Sequence, residues 1–247
     1  MIRKTIIQTM KSTFIVHIPD KNFHNFPFPT GTGFFISKNG YFITANHVID
    51  EVNDFSKVRF SQPNGEHILY ISLIKKWENY DIALLKADFE LNQKRYKNAK
   101  NKFLKGQKNF PYLEIDFEEH LEGTPIYSYG FPLPKVEHIN LKNMKIVFVG
   151  YCPRATSAII SSKYEIIKPI RSKNDPKFYT IDKSLVYGNS GGPVVLTETG
   201  KVFGVVCRFQ PVPIPQSEGS RVIIPTNYGI VSSLSNIKNY LQSELNV

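Results

Sequence analysis

Short runs of apolar, β-branched and aromatic residues recur along this chain, and Gly, Pro, Asn and Asp separate them. Runs of this length between turn residues are typical of strands joined by tight turns, so the pattern predicts an all-β chain of antiparallel strands. The predicted strands are TFIVHI (13–18), GFFIS (33–37), YFITA (41–45), HILYISLI (67–74), IALLKA (82–87), PYLEI (111–115), TPIYSYG (124–130), MKIVFVGY (144–151), PVVL (193–196), KVFGVVCRF (201–209) and SRVIIP (220–225).

One segment has helical periodicity. Ile230, Leu234, Ile237 and Leu241 recur at spacings of four, three and four residues, which predicts a C-terminal helix with Asn227 as a candidate cap.

Two further segments are predicted to be exposed loops. They are the basic stretch 90–110 and QPVPIPQSEGS (210–220), whose three prolines lack the N–H that a strand ladder needs. A division near residues 117–122 separates two sets of about six strands. We therefore predict two domains, 1–118 with a basic insertion at 90–110, and 119–247.

Composition bounds the class of protein and its compartment. The chain has 247 residues, of which 41% are hydrophobic and 13% aromatic, so it can bury a core and is not a disordered protein. Cys152 and Cys207 allow at most one disulfide, which favours a reducing compartment and two free thiols. The first twenty residues lack the apolar run of a secretory signal, and no stretch is long enough to span a bilayer. These features predict a cytoplasmic location without a membrane partner, although a form trimmed of its signal would look the same.

The formal net charge of +10 is concentrated in one segment. Between Glu90 and Phe110, seven basic residues stand against one acid, which accounts for six of the ten net charges. The simplest interpretation is a solvated surface loop, and docking to nucleic acid with Tyr96 and Phe103 as stacking groups is the alternative. No phosphate-binding loop and no metal-ligand spacing occurs, so we expect no cofactor and no metal.

Three local patterns carry chemistry. His47 follows a strand in GTGFFISKNGYFITANHVI (31–49), and Asp81 directly precedes an apolar strand in NYDIALLK (79–86). Ser190 lies in a glycine-flanked turn ahead of a strand, in YGNSGGPVV (187–195). A serine hydroxyl becomes a nucleophile when an imidazole accepts its proton, and the imidazole needs a carboxylate to fix its tautomer. The patterns therefore predict a catalytic triad of His47, Asp81 and Ser190.

The turn around the serine predicts a second element of the site. Gly188, Asn189 and Ser190 can form a tight turn whose N–H groups converge on one point. Such donors would form an oxyanion hole.

Together these patterns identify a resemblance to a known family. GTGFFIS, ITANHVI, YDIALLK, YLEIDFEEHLEGTPIYSYGFP (112–132), GNSGGPVV and VIIPTN resemble the trypsin-like serine peptidases, and within them the high-temperature-requirement (Deg) branch. The resemblance covers residues 12–235 and implies two six-stranded antiparallel Greek-key barrels of the chymotrypsin-like class, with the triad between them. It also implies an oxyanion hole formed by the amides of Gly188 and Ser190, and a protein or peptide substrate that pairs with the strand Val205–Phe209. The substrate-binding residues implied are Ser184, Val206, Cys207, Arg208 and Phe209.

Departures from the family pattern modify this expectation. Asn189 stands where digestive enzymes have an aspartate that pairs with a newly cut N-terminus, so we expect no activation by N-terminal cleavage. Cys207 replaces a small polar residue and is expected to weaken a hydrogen bond to Asp81. Ser184 at the pocket base gives no support to a preference for basic substrates, while Asp182 nearby leaves that preference open.

The function predicted from the sequence is therefore a serine endopeptidase. Regulation is expected to come from a dedicated regulatory or substrate protein, or from an inactive resting conformation. The alternative is a catalytically silent module that keeps the fold and binds peptides or proteins in its cleft.

Overall fold

The computed structural model describes residues 2–20, 26–63, 67–96, 107–132, 135–141, 144–150, 152–164, 175–215 and 221–245. Within these ranges the chain forms fifteen strands and three α-helices, together with short 3₁₀ turns. The strands are β1 (Thr13–Asp20), β2 (Phe26–Phe35), β3 (Tyr41–Thr44), β4 (Arg59–Ser61), β5 (His67–Ile68), β6 (Ile71–Trp77), β7 (Ile82–Ala87), β8 (Pro125–Gly130), β9 (Lys135–Leu141), β10 (Met144–Gly150), β11 (Arg154–Tyr164), β12 (Phe178–Ile181), β13 (Pro193–Leu196), β14 (Val202–Pro215) and β15 (Arg221–Ser233). The helices are α1 (Ile2–Ser12), α2 (Phe89–Tyr96) and α3 (Lys238–Leu245).

The first sheet is antiparallel and has the order β5-β4-β1-β2-β3-β7-β6. Its core is aromatic: Phe35 stacks on Phe110 at 4.4 Å between ring centroids, and Phe42 stacks on Phe60 at 3.8 Å. The sheet has seven strands rather than the predicted six. The run HILYISLI divides into β5 and β6 at Tyr70, where φ is +53°, β4 was not predicted, and the predicted strand 111–115 is not part of the sheet. Strands β3 and β7 are neighbours, so the residues that follow β3 and precede β7 meet at one edge.

The second sheet is a closed barrel of six strands in the order β11-β12-β15-β14-β13-β8. Its interior is filled by apolar side chains, including Ile126, Val194, Phe203, Val206 and Val231. Strands β9 and β10 form a separate antiparallel ribbon. The predicted all-β, chymotrypsin-like fold with a C-terminal helix is confirmed, and the division of the chain near residues 117–122 remains a prediction.

The segment 210–220, predicted to be a loop, is partly strand. Strand β14 continues to Pro215 and pairs with β15, with Pro211 opposite Pro225 and Pro215 opposite Arg221. The three prolines alternate along β14, and alternate positions of an antiparallel pair do not exchange hydrogen bonds with the partner strand. Prolines at that spacing therefore continue the ladder without removing a donor from it. Residues 216–220 lie outside the described residues.

The C-terminal helix is shorter than the periodicity predicted. Ile230 lies in β15, a 3₁₀ turn occupies Leu234–Ile237, and α3 follows. The cap is Ser233, whose side chain accepts the N–H of Ser235, so Asn227 is not the cap. The prediction was wrong at Ile230 because a buried strand position can also fall on a helical spacing.

Three other expectations need correction. The basic stretch begins as helix α2, since the carboxylate of Asp88 accepts the N–H of Leu91 as a cap, and residues 97–106 lie outside the described residues. The run PYLEI (111–115) forms no strand and contributes one bridge, between Ile115 and Val202. Helix α1 was not predicted. None of the helices in the described part of the chain is long and apolar enough to span a membrane.

A lysine side chain enters the second barrel. Ser128 is opposite Val194, which belongs to the barrel core, and the ammonium of Lys183 donates a short hydrogen bond to the Ser128 hydroxyl. Burial lowers the pKa of Lys183 to about 8 from its usual 10.5. A hydroxyl does not neutralise an ammonium, so the charged form of Lys183 destabilises the folded state.

We expect the Lys183→Met variant to be more stable than the wild type at neutral pH, because the buried charge is removed. The folded-state pKa of Lys183 lies below the unfolded value, so the penalty is fully present below pH 8 and declines as the pH rises toward 10.5. In denaturant unfolding, the difference in unfolding free energy between the variant and the wild type should be about 2 kcal/mol smaller at pH 9.5 than at pH 7. A difference in unfolding free energy that stays constant with pH would contradict a charged and desolvated Lys183.

Candidate active site

His47 and Asp81 meet at the edge where β3 ends and β7 begins. His47 lies in the 3₁₀ turn Asn46–Val48 that follows β3, and Asp81 ends the 3₁₀ turn Glu78–Tyr80 that precedes β7. The main chains of the two turns are joined directly, since the Asn46 N–H donates to the Asp81 carbonyl at 3.1 Å. Asp81 has a left-handed φ of +50°, which an L-residue other than glycine, Asn or Asp rarely adopts.

The carboxylate of Asp81 fixes the orientation of the imidazole. It accepts the main-chain N–H of His47 at 3.0 Å and contacts ring Nδ1 at 2.8 Å and 3.0 Å. Because a carboxylate only accepts, Nδ1 must carry the proton, and Nε2 of the neutral ring is left as an acceptor. The imidazole side chain is 48% exposed, so Nε2 is available at the surface of the cleft.

Ser190 is fixed by its main chain between the two sheets. Its carbonyl accepts the N–H of Thr32 in β2 at 2.8 Å, and the next N–H, from Gly191, donates to Val206 in β14 at 2.7 Å. Gly191 has a φ of +82°, and a Cβ there would lie 2.1 Å from the Thr32 carbonyl oxygen. Only glycine permits this close approach of the two main chains.

The histidine turn and the serine turn meet across Gly31. A Cβ at Gly31 would lie 2.7 Å from the Val48 side chain and 2.8 Å from the Ser190 carbonyl oxygen. The structure therefore brings the three predicted triad residues into one region. Within the described residues, the Ser190 hydroxyl donates to the Cys207 carbonyl at 3.1 Å and forms no hydrogen bond with His47.

The amides of Gly188 and Ser190 donate to no protein acceptor in the part of the chain that the structure describes. The neighbouring carbonyls are occupied: Thr32 Oγ1 donates to the Gly188 carbonyl at 2.6 Å, and the Gly192 N–H donates to the Asn189 carbonyl at 2.9 Å. These bonds hold the peptide groups of the turn in place. Gly188 has a φ of +95°, and a Cβ there would lie 2.3 Å from the Phe131 carbonyl oxygen.

Cys207 lies behind Asp81. Its thiol is buried, at 2% exposure, and its Sγ is 3.5 Å from the Val205 carbonyl oxygen. Burial raises the pKa of Cys207, and the charge of the Asp81 carboxylate raises it further. A thiol is a weak donor, so the carboxylate keeps its stronger hydrogen bonds with His47.

The other predicted substrate-binding residues differ in their surroundings. Val206 is buried, and its N–H and C=O both bond to the Gly191–Gly192 segment. Arg208 and Phe209 are exposed. Ser184 is also exposed, and its hydroxyl donates to Asn227 Oδ1 at 3.3 Å.

Two contributors to the site were missed from the sequence. Thr32 supports the Ser190 turn through its N–H and its hydroxyl, and Asn227 bonds to Ser184. The glycines on both sides of Thr32 were a signal of close main-chain packing. No group of three or more His, Cys, Asp or Glu side chains able to hold a metal ion occurs among the described residues.

Comparison with known proteins agrees with the family that the sequence motifs resemble. A family model described as trypsin-like peptidase domain matches residues 31–205. A probable periplasmic serine endoprotease DegP-like from Hahella chejuensis is 25% identical over 177 residues, which cover 71% of this chain and 29% of that protein. A protein of the same description from Rhizobium meliloti is 25% identical over 180 residues, which cover 72% of this chain and 28% of its own length. The chain thus spans less than a third of these curated relatives.

Solved structures of HtrA-type proteases share the fold. The protease AlgW with a decapeptide superposes with a TM-score of 0.62 at 16% identity, covering 100% of this chain and 68% of that one. AlgW with a tripeptide superposes with a TM-score of 0.61 at 17% identity, covering 98% and 63% of the two chains.

The curated names contradict one prediction. The relatives are named periplasmic, so the cytoplasmic location predicted from the cysteine count and the N-terminal sequence is wrong by this comparison. A low cysteine count does not separate the compartments, because a chain of this size can bury a sufficient core without disulfides.

We expect the two thiols to differ in reactivity. Cys152 is exposed, whereas Cys207 is buried and its raised pKa disfavours the reactive thiolate. Iodoacetamide should alkylate Cys152 in the folded protein and both cysteines in denaturant, as measured by peptide mass spectrometry. Alkylation of Cys207 under native conditions at a rate similar to Cys152 would contradict this arrangement.

Proposed function

We propose that this chain, which belongs to the trypsin-like peptidase domain family, is a serine endopeptidase that cleaves peptide bonds through an acyl-enzyme on Ser190. The observation that carries the proposal is the Asp81 carboxylate on Nδ1 of His47, in the same region as a glycine-flanked serine turn with two amides that have no acceptor among the described residues. Because the chain spans only part of its curated relatives, its activity is proposed from its own residues.

The reaction follows from the roles that these groups can take. His47 Nε2 removes the hydroxyl proton as Ser190 Oγ attacks the scissile carbonyl carbon, and Asp81 stabilises the imidazolium that forms. The amides of Gly188 and Ser190 bind the oxyanion of the tetrahedral intermediate. The imidazolium then gives its proton to the leaving amine as the C–N bond breaks. Water, deprotonated by His47, hydrolyses the ester and returns the hydroxyl to Ser190.

The resting hydrogen bond of Ser190 supports a conformational element in regulation. The hydroxyl must leave the Cys207 carbonyl and turn toward His47 before attack. Breaking one such bond costs about 1 kcal/mol, an amount that substrate contacts or a partner protein could supply. This fits control by a resting conformation or a dedicated partner rather than by N-terminal cleavage.

The cleft is suited to an extended peptide. Strand β14 pairs with β15 along one edge, including Arg208 and Phe209. Along its other edge, in the strands that the structure describes, β13 pairs with β14 only as far as Val205 and Val206. This second edge of Cys207–Phe209 therefore faces the site without a neighbouring strand. An extended substrate could add to this edge through main-chain hydrogen bonds. The AlgW structures contain a tripeptide and a decapeptide, and we propose that peptides also bind here.

The family resemblance places the pocket for the substrate side chain around Asp182–Tyr187. Ser184 at the base of this pocket donates to Asn227 Oδ1, and one oxygen of the Asp182 carboxylate accepts the Ile159 N–H at 2.7 Å. Tyr187, within this range, is 56% exposed, and Tyr228, which follows Asn227, is 45% exposed. We therefore propose cleavage after neutral or apolar residues.

A catalytically silent peptide-binding module is the second candidate. The Ser190 hydroxyl bonded to Cys207 rather than to His47 is the observation that favours it. The two candidates differ in covalent chemistry, since only the enzyme activates Ser190 toward electrophiles.

We expect a fluorophosphonate probe to label the wild type and not the Ser190→Ala variant. Ser157→Ala, at an exposed serine in β11, is the matched control and should label as the wild type. Asp81→Asn should lower kcat/KM for a peptide substrate by about 10³–10⁴, because the amide no longer fixes the productive tautomer. Peptide binding without labelling, under all activators tested, would favour the silent module.

We also expect activity to be independent of a free N-terminus. Asn189 is a neutral amide, which cannot form the ion pair that a terminal ammonium makes with a carboxylate. A variant with a short N-terminal extension should be labelled at the rate of the unextended protein. Activity that requires proteolytic removal of the extension would show that terminal cleavage controls the enzyme.

A further inference from the structure

A cavity of about 610 Å³ lies at the end of the first sheet opposite the site, between the sheet, the segment 112–117 and α3. Its volume falls in the range of ligand pockets, which are usually mostly apolar with a few polar groups. Apolar and aromatic groups from each element line it, namely Ile36, Tyr41, Tyr112, Ile115, Phe117, Leu241 and Leu245.

Three ammonium groups also line the cavity. They belong to Lys38, Lys86 and Lys201, and none forms an ion pair within the described part of the chain. Lys86 is half-buried, with Nζ 3.6 Å from the centre of the Tyr41 ring. Burial lowers the pKa of Lys86, and the nearby carboxylates of Glu244 and Asp88 offset this effect only in part.

Two carboxylates line the same cavity and do not balance the lysines. The Tyr41 hydroxyl donates to Glu244 at 2.6 Å. This hydrogen bond makes the largest contribution to the raised pKa of Tyr41, which is about 12. Glu114 is the second carboxylate and is exposed. The lining therefore carries one more positive than negative charge, beside an aromatic wall formed by Tyr112 and Phe117. This combination suits a ligand with an aromatic body and an anionic group.

The cavity is connected to the proposed catalytic groups by two neighbouring strands. Tyr41 begins β3, which leads to His47, and Lys86 lies near the end of β7, which begins after Asp81. Helix α3 adds a third connection, since Tyr240 packs edge-on against Trp77 at 5.1 Å, directly before the turn that ends at Asp81. A ligand that binds one arrangement of these elements more tightly would shift the site toward that arrangement.

We propose that this cavity binds a small organic anion with an aromatic body, and that binding changes the reactivity of Ser190. The first clause rests on the cavity alone. The second clause rests also on the proposed function, so binding and reactivity are tested by separate measurements.

Binding is tested by fluorescence titration with 8-anilinonaphthalene-1-sulfonate. N-phenyl-1-naphthylamine, which has the same rings without the sulfonate, is the neutral control. We expect the sulfonate to bind at one site, and Lys86→Gln to weaken its binding by about tenfold without changing binding of the neutral dye. Lys108→Gln, at an exposed lysine outside the cavity, should bind as the wild type.

A variant in the opposite direction keeps the test independent of any folding defect in Lys86→Gln. Glu114→Gln removes a negative charge from the exposed rim of the cavity and should tighten binding of the sulfonate. Equal binding of the two dyes to the wild type, or binding of the sulfonate that neither variant alters, would overturn the site.

Coupling is tested by the rate at which a fluorophosphonate labels Ser190, with and without saturating sulfonate dye. We expect a change of about threefold or more in the wild type, and in Lys86→Gln the same change only at about tenfold higher dye concentration. An unchanged rate in the saturated wild type would overturn the coupling. Charge-dependent dye binding without labelling under any condition would support the cavity and count against the endopeptidase.

Discussion

The Asp81 carboxylate is the group on which the geometry of the site depends. It accepts both the main-chain N–H and the ring N–H of His47, and the main chain of the same residue accepts the N–H of Asn46. The imidazole is 48% exposed, so packing alone would not hold its orientation. The charged acceptor therefore determines which ring nitrogen faces the cleft, and the left-handed main chain at Asp81 places that acceptor.

Glycine main chains set the position of the nucleophile. A Cβ at Gly191 would lie 2.1 Å from the Thr32 carbonyl oxygen, so the serine turn packs on β2 at main-chain distance. The hydrogen bonds from Thr32 and to Val206 then hold the turn against both sheets. The position of the turn therefore depends on main-chain contacts rather than on side-chain packing. The freedom left to Ser190 is rotation of its side-chain hydroxyl away from the Cys207 carbonyl. In the proposed mechanism, this rotation brings the hydroxyl toward His47.

The two ends of the first sheet have different chemistry but share strands. One end presents the imidazole and carboxylate, and the other presents a cavity lined by aromatic rings and three lysine ammonium groups. Strands β3 and β7 are paired along their length, from Tyr41 opposite Lys86 to Thr44 opposite Ala83. Each strand also connects the two ends of the sheet covalently, so a displacement of the main chain at one end can be transmitted to the other. The enzyme and effector proposals therefore concern one continuous structural unit.

The sequence by itself determined the fold class and the three candidate catalytic residues. Alternating strands with turn residues are local patterns, and IALLKA and PVVL are strands with the predicted bounds. His47, Asp81 and Ser190 were identifiable because each lies next to such a strand, in a motif that in combination with the others resembles the trypsin-like peptidases. The tertiary structure decided what depends on partners distant in sequence: that the prolines of β14 fit an alternating ladder, that Ile230 is a strand residue, and that the Ser190 hydroxyl rests on Cys207. These outcomes depend on which main-chain groups are already paired and which side chains are desolvated, and only folding settles both.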